Sequence, residues 1–225
     1  MLNGKPKRRL IWVPVIHSEA DLGSARRSVK SLYVRLAGPS GWDDHVKKID
    51  RSWQAVRKEI QALDLDYAKV RLYQDGLPDC GHEERIVKDL AKAGSQNHQL
   101  LVELMEKGAP ITGTESSELL LEEYELTRQV LASMDAGRPG ALGEHELELS
   151  ELILEKRDRY IGGRISKTLK DGETGLIFLG LLHSLEGRLP PDIEVVCLGR
   201  DSRPLRAEPG SGGKGRREQK GGNDA

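Results

Sequence analysis

The stretch Leu176-Ile-Phe-Leu-Gly180-Leu-Leu-His183 decides the fold class, because it joins a short apolar run to a glycine and a histidine. Three other apolar runs are also followed by a residue that can carry chemistry: residues 10–16 precede His17, residues 70–73 precede Asp75, and residues 111–114 precede Glu115. Near-continuous apolar runs of this length are typical of strands buried on both faces, as in parallel sheets. The sequence therefore predicts that these runs are strands of one sheet.

Helical patterns separate the predicted strands. Residues 42–63 carry apolar side chains at three- and four-residue steps, and further helical patterns cover residues 83–93, 95–107, 116–134 and 144–169. A fifth strand is predicted at residues 193–198. This alternation predicts an α/β fold, with a mainly parallel sheet of about five strands flanked by helices in a single domain over residues 1–199.

Glycine, proline and charged residues mark the predicted loops and ends. A helix-like stretch after Gly23 runs to about Leu36, and residues 38–41 (Gly-Pro-Ser-Gly) predict a break between it and the helix at residues 42–63. Residues 75–78 (Asp-Gly-Leu-Pro) predict a turn. Residues 135–143 predict a flexible linker. The Gly- and charge-rich residues 200–225 predict a disordered tail, because they cannot bury enough apolar surface to fold.

Composition narrows the function classes. The chain of 225 residues has a formal net charge of −1 and only 4% aromatic residues, which disfavours nucleic acid as a partner. No segment approaches the roughly 20 apolar residues that a membrane helix needs, which predicts no membrane association. The apolar run that follows the basic amino terminus is short, contains Pro14 and is broken by His17 and Glu19. We therefore expect no export signal and a cytoplasmic location.

The residues that follow the strands predict a site. The carboxyl ends of parallel strands lie along one edge of a sheet, and ligands bind there. We expect His17, Asp75, Glu115 and His183 to lie on that edge, with all four as candidate ligands of a divalent metal ion. A mixed set of histidines and carboxylates suits Zn, Mn, Co or Fe. Each residue also has a structural interpretation: Asp-Gly favours turns, and carboxylates favour helix amino termini. His17 could be an ordinary loop histidine, and His183 could be a histidine at a helix start whose ring bonds to the backbone.

The length of the predicted helix before residues 176–180 adds two candidates. A helix that leads into a parallel strand runs antiparallel to it, and residues 176–180 span about 16 Å at about 3.3 Å per residue. Counting back about 18 Å from Leu169, at about 1.5 Å per residue, reaches Arg157 and Asp158. We expect these two residues to lie level with the edge, so that Arg157 or Asp158 can face His183. His82 and His98, by contrast, are expected to face solvent.

The second half of the chain resembles a known family. Glu155-Lys-Arg157-Asp158, Gly175 to His183, and Ile193-Glu-Val-Val resemble the carboxyl-terminal half of TraB/Tiki-type domains, a superfamily that also includes erythromycin esterase and ChaN-like proteins. The resemblance is clearest over residues 155–196. It implies that Gly180 to His183 is the second GxxH motif and that Arg157 is the arginine of a late helix. The first motif would end at His17, with Pro14 in place of glycine, and Asp75 would be the acidic residue after the second strand.

Three functions follow from these patterns. The first is a metal-dependent hydrolase of a small-molecule or peptide substrate, in which His17 and His183 bind the ion with Asp75 or Glu115. In that hypothesis Arg157, Glu115 and His183 are the catalytic candidates, and Arg157 stabilises developing negative charge. Arg157 could instead hold a carboxylate through two hydrogen bonds, or form a surface salt bridge with Glu155 or Asp158. The second is a metal-independent hydrolase with a histidine general base. The third is a ligand-binding or signalling protein of the same fold without catalytic activity.

Overall fold

The structure is a computed structural model that describes residues 8–18, 21, 26–135 and 143–199. These residues include five strands: β1 (Arg8–Val15), β2 (Val70–Pro78), β3 (Ile111–Glu115), β4 (Thr174–Gly180) and β5 (Ile193–Cys197). The predicted tail at residues 200–225, and residues 136–142 of the predicted linker, lie outside the described residues.

The strands form one all-parallel sheet in the order β3-β2-β4-β1-β5, which confirms the predicted fold class. All five strands therefore end at the same edge. The order is not sequential, and β4 lies between β2 and β1. This arrangement places the carboxyl end of β4, which leads to His183, directly beside Asp75 of β2.

Five helices connect the strands: α1 (Arg26–Gln61), α2 (Glu83–Lys92), α3 (Gln96–Glu106), α4 (Ser117–Asp135) and α5 (Glu144–Thr168). The predicted break in the first helical region is a kink in α1 at Gly38, whose φ of 75° lies in the left-handed region. Pro39 follows and has no N–H to continue the helix. In the part of the chain that the structure describes, no helix is both long and apolar enough to cross a membrane.

Helices cover the sheet on both faces, which is why its strands read as continuous apolar runs. On one face, buried side chains of α1, α2 and α3, among them Trp53, Ile60 and Leu101, pack against strand residues such as Leu72 and Phe178. On the other face, α5 supplies the side chains that pack against Leu10, Tyr73, Ile177 and Leu179. These α5 residues are Ile161 and Ile165.

The predicted turn at residues 75–78 is wrong, because β2 continues through Pro78. The pairing of β2 with β3 shifts register between Gln74 and Pro78, and Gly76 adopts a left-handed φ of 71° within this irregular segment. A glycine can take this conformation without steric cost. The bulge therefore lets the strand continue while Asp75 leaves the regular ladder.

Candidate functional site

Asp75 is fixed by the end of the neighbouring strand. The parallel pairing between β2 and β4 ends one residue before Asp75, with Gln74 opposite Phe178. Beyond that point the Asp75 Oδ2 atom accepts a hydrogen bond from the backbone N–H of Gly180 at 3.0 Å. A Cβ at Gly180 would lie 3.0 Å from the same oxygen, so glycine leaves room for this close approach.

His183 lies in the loop after β4 and is held by α5. Its Nδ1 atom is 2.6 Å from Asp158 Oδ1, and Asp158 Oδ2 accepts the backbone N–H of Ser184 at 2.9 Å. The helix-rise estimate is thereby confirmed: Asp158 is level with the sheet edge and faces His183. Because a carboxylate only accepts hydrogen bonds, Nδ1 carries the hydrogen, and Nε2 is the nitrogen left for other chemistry.

The Nε2 atom of His183 faces Asp75. The distance from Nε2 to Asp75 Oδ1 is 3.4 Å, which is longer than a strong N–H···O bond. Burial opposes a charge on this imidazole, but the contacts with Asp158 and Asp75 outweigh that effect and raise its pKa from 6.5 to about 9. Burial alone would also raise the pKa of Asp75, but His183, Arg157 and the Gly180 N–H hold it well below its usual range.

Arg157 is surrounded by carboxylates. Its Nε and Nη2 atoms donate to the two oxygens of Glu115 at 3.1 and 2.7 Å, and Nη2 also donates to Asp75 Oδ1 at 2.9 Å. Its Nη1 atom donates to Glu123. All three nitrogens of the guanidinium therefore bind carboxylates of the protein itself. This arrangement makes Arg157 a counter-ion for the cluster.

Glu115 is the most deeply buried of the candidate residues. Its exposed fraction is 0%, and it is the last residue of β3. Besides Arg157, its Oε1 atom accepts the backbone N–H of Gly76 at 3.3 Å. Glu115 thus ties the bulged part of β2 to Arg157 on α5.

The cluster contains more negative than positive charge. The carboxylate side chains of Asp75, Glu115 and Asp158 are at most 8% exposed, and Arg157, at 5%, is the one guanidinium among them. Three negative charges against one positive charge leave an excess of two, which a proton on His183 reduces to one. Buried charge without compensation is costly, so this cluster favours an additional cation.

The donor atoms fit a metal ion. Among the described residues, Asp75, Glu115 and His183 offer one ligand atom each, all within 4.8 Å of one another. Two ligands of one tetrahedral ion, at bond lengths of about 2.0–2.1 Å, are about 3.4 Å apart, which matches the separation of His183 Nε2 and Asp75 Oδ1. The hydrogen bond from Nδ1 to Asp158 is the support that metal-binding histidines usually have.

His17 lies apart from this group. It is exposed, and it lines the same cavity of about 560 Å³ as Asp75, Arg157 and His183. Trp53 positions the segment before it, because the indole Nε1 donates to the carbonyl of Ile16 at 3.1 Å. The rest of the cavity wall is largely apolar, with Ile16, Leu90, Leu120, Leu154, Leu181 and Leu182. Four predicted site residues thus share one cavity, but His17 is outside the group within 4.8 Å.

Sequence reasoning missed part of the cavity. His98 was expected to face solvent, but only 7% of it is exposed, and its Nδ1 atom lies 2.7 Å from Ser95 Oγ. It also lies 3.5 Å from Asp21. Ser95 caps α3, and a histidine three residues after such a cap faces back towards the cap side chain. The cap signal was present in the sequence, but Asp21, which is distant in the chain, gave no signal of its own.

Comparisons of the chain with models of protein families, with curated proteins and with solved structures found no match. The chemistry of the site is therefore interpreted from its own atoms.

Proposed function

We propose that this protein is a metal-dependent hydrolase whose ion is held by His183 and Asp75, with Glu115 as the third candidate ligand. The observation that carries the proposal is the pairing of His183 Nε2 with Asp75 Oδ1 at 3.4 Å inside a cluster with excess buried negative charge. A divalent ion would polarise a substrate carbonyl or phosphoryl group and lower the pKa of a water molecule at the site.

The residues of the chain have distinct tasks in this proposal. Asp158 fixes the tautomer and the orientation of His183, so that Nε2 faces the cavity. Arg157 holds Glu115 and Asp75 in place and offsets part of their charge. Because its nitrogens are already bound, the earlier hypothesis that Arg157 stabilises charge on the substrate is replaced by a positioning role.

Family membership stays part of the proposal. We propose that the chain is a divergent relative of TraB/Tiki-type domains. The support is the Gly180 to His183 spacing after β4 and the place of Arg157 on the helix that precedes this strand.

Metal content tests the proposal. The purified chain is stripped with EDTA, incubated separately with Zn, Mn, Co and Fe, and assayed by ICP-MS and with a panel of ester, peptide and phosphate substrates. We expect close to one ion per chain, loss of that ion in His183→Gln and in Asp75→Asn, and hydrolysis that follows metal content.

His145→Gln is the matched control, because His145 is an exposed histidine of α5. It should retain the metal. Metal content that is the same in His183→Gln as in the unaltered chain would contradict the assignment. A parallel His17→Gln variant shows whether the exposed histidine also contributes a ligand.

A metal-independent hydrolase is the second candidate, and the short contact between His183 and Asp158 favours it. In this case His183 transfers the proton and Asp158 orients it. With a pKa of about 9, the imidazole is protonated at neutral pH and is poised to act first as an acid. This candidate predicts hydrolysis that is unchanged by EDTA, whereas loss with EDTA and recovery with added metal would exclude it.

A further inference from the structure

The cavity has a second polar wall on the other side of β2. Side chains alternate along a strand, so Gln74 faces α3 while Asp75 faces α5. Asn97 and His98 of α3 line the cavity together with Asp21. The cavity therefore extends around the end of β2, from the Asp75–His183 pair on one face of the sheet to these three residues on the other.

Asn97 presents an unpaired oxygen on this wall. The Gln74 Nε2 atom donates to the Asp75 carbonyl at 3.0 Å, so Gln74 Oε1 is the atom that faces Asn97. Asn97 Nδ2 donates to that oxygen at 2.9 Å. These two bonds fix the orientation of the Asn97 amide and leave its Oδ1 atom buried without a hydrogen-bond partner among the described residues. Only 1% of Asn97 is exposed.

Asp21 presents a second unpaired oxygen. Its Oδ2 atom accepts the backbone N–H and the hydroxyl of Ser18, both at 2.7 Å. In the part of the chain that the structure describes, its Oδ1 atom has no hydrogen-bond partner, and its contact with His98 Nδ1, which pairs with Ser95 Oγ, is an electrostatic one at 3.5 Å. Burial alone would raise the pKa of Asp21, but His98, Ser95 and Ser18 outweigh it and hold the pKa well below its usual range.

Two buried acceptors on a cavity wall call for a ligand that donates hydrogen bonds, since unpaired buried polar atoms are rare and costly. The nearby charge favours a positive donor: Asp21 is ionised, and the guanidinium of Arg157 is already bound to carboxylates. The cavity between the two polar walls is largely apolar. A protonated amine carried on an apolar chain matches all three features.

We propose that Asp21 Oδ1 and Asn97 Oδ1 form a subsite for the ammonium group of an amine substrate, whose reacting group lies at the Asp75–His183 pair. The inference rests on the proposed function for the reaction, because it names the substrate class of the same cavity. Binding of the amine itself requires neither a metal nor turnover.

Isothermal titration calorimetry with n-hexylammonium and 1-hexanol tests the subsite at neutral pH in EDTA, on the unaltered chain and on His183→Gln. We expect the ammonium to bind to both chains and more tightly than the alcohol. Asp21→Asn should weaken ammonium binding by about 10- to 100-fold, the effect of losing one charged hydrogen bond, and Asn97→Leu should weaken it in the same direction.

Asp44→Asn is the matched control, because it removes the same charge from a side chain of α1 that is 70% exposed, and it should leave binding unchanged. Equal binding of hexylammonium by the unaltered chain, Asp21→Asn and Asn97→Leu would overturn the subsite. Hexylammonium binding that is lost in Asp75→Asn but kept in Asp21→Asn would also overturn the subsite. So would the absence of any hexylammonium binding, in which case a water molecule would satisfy Asp21 Oδ1 and Asn97 Oδ1. Failure of the hydrolase proposal alone would leave ammonium binding intact.

Discussion

Replacement of Arg157 by methionine is the sharpest test of the ion-pair cluster. The substitution keeps most of the apolar stem but removes the donors to Glu115 at 3.1 and 2.7 Å and to Asp75 at 2.9 Å. Glu115 is fully buried and would lose its only cationic partner among the described residues. Breaking a buried ion pair by removing one partner costs about 3–5 kcal/mol. We expect a loss of this size in the free energy of unfolding, against a typical total of about 5–15 kcal/mol.

Urea denaturation of metal-free protein at neutral pH, monitored by far-UV circular dichroism, measures this loss in the free energy of unfolding. A double-mutant cycle with Glu115→Gln separates the pair from general damage to packing. The neutral amide no longer requires a counter-charge, so the double variant should be more stable than the sum of the single losses predicts, by roughly 1–3 kcal/mol.

Arg159→Met is the matched control two residues along the same helix. The Arg159 side chain is 68% exposed and pairs with Glu155 one turn away, so its loss should cost less than about 1 kcal/mol. An Arg157→Met variant that is as stable as Arg159→Met would refute the counter-ion role. If that variant lost only activity, Arg157 would instead act on the substrate.

Three further variants test the site's charge and its helix. His183→Gln should lower the free energy of unfolding of metal-free protein by about 2–3 kcal/mol near pH 6, because folding raises the pKa of His183 from 6.5 to about 9. The stability that this shift provides is present below the unfolded pKa and is lost as the pH rises through about 9. Denaturation at several pH values would measure this dependence. In α5, Gly163→Ala should raise the free energy of unfolding by about 0.5–1 kcal/mol, since open space surrounds the new Cβ. Gly162→Ala should lower the free energy of unfolding, because its Cβ would lie 2.8 Å from the Arg188 carbonyl oxygen. Equal shifts in melting temperature for the two variants would contradict this difference.

Much of the fold was predictable because burial on both faces leaves a direct trace in the sequence. The apolar runs at residues 10–16 and 176–179 correspond to β1 and β4, and their parallel arrangement follows from the helices between them. The position of Asp158 at the sheet edge was also predictable, since the rise per residue of a helix and of a strand is nearly constant. These are local properties, so the order of the amino acids alone is sufficient to determine them.

The roles of the site residues were not predictable in the same way. The sequence shows that Arg157, Asp75 and Glu115 meet at one edge, but it does not show that the guanidinium is bound by protein carboxylates. That outcome depends on the order of the strands, which puts β4 between β2 and β1 and brings α5 over the bulge at Gly76.

Burial of the second polar wall was likewise decided by tertiary packing. His98 looks like a surface residue of an amphipathic helix, yet contact with Asp21, a residue 77 positions earlier in the chain, encloses it. The sequence by itself determined which elements form and at which edge their polar residues collect, because propensity and periodicity act over a few neighbouring residues. Only the tertiary structure decided which charges pair and which oxygens stay unpaired, because those contacts join residues that are distant in the chain.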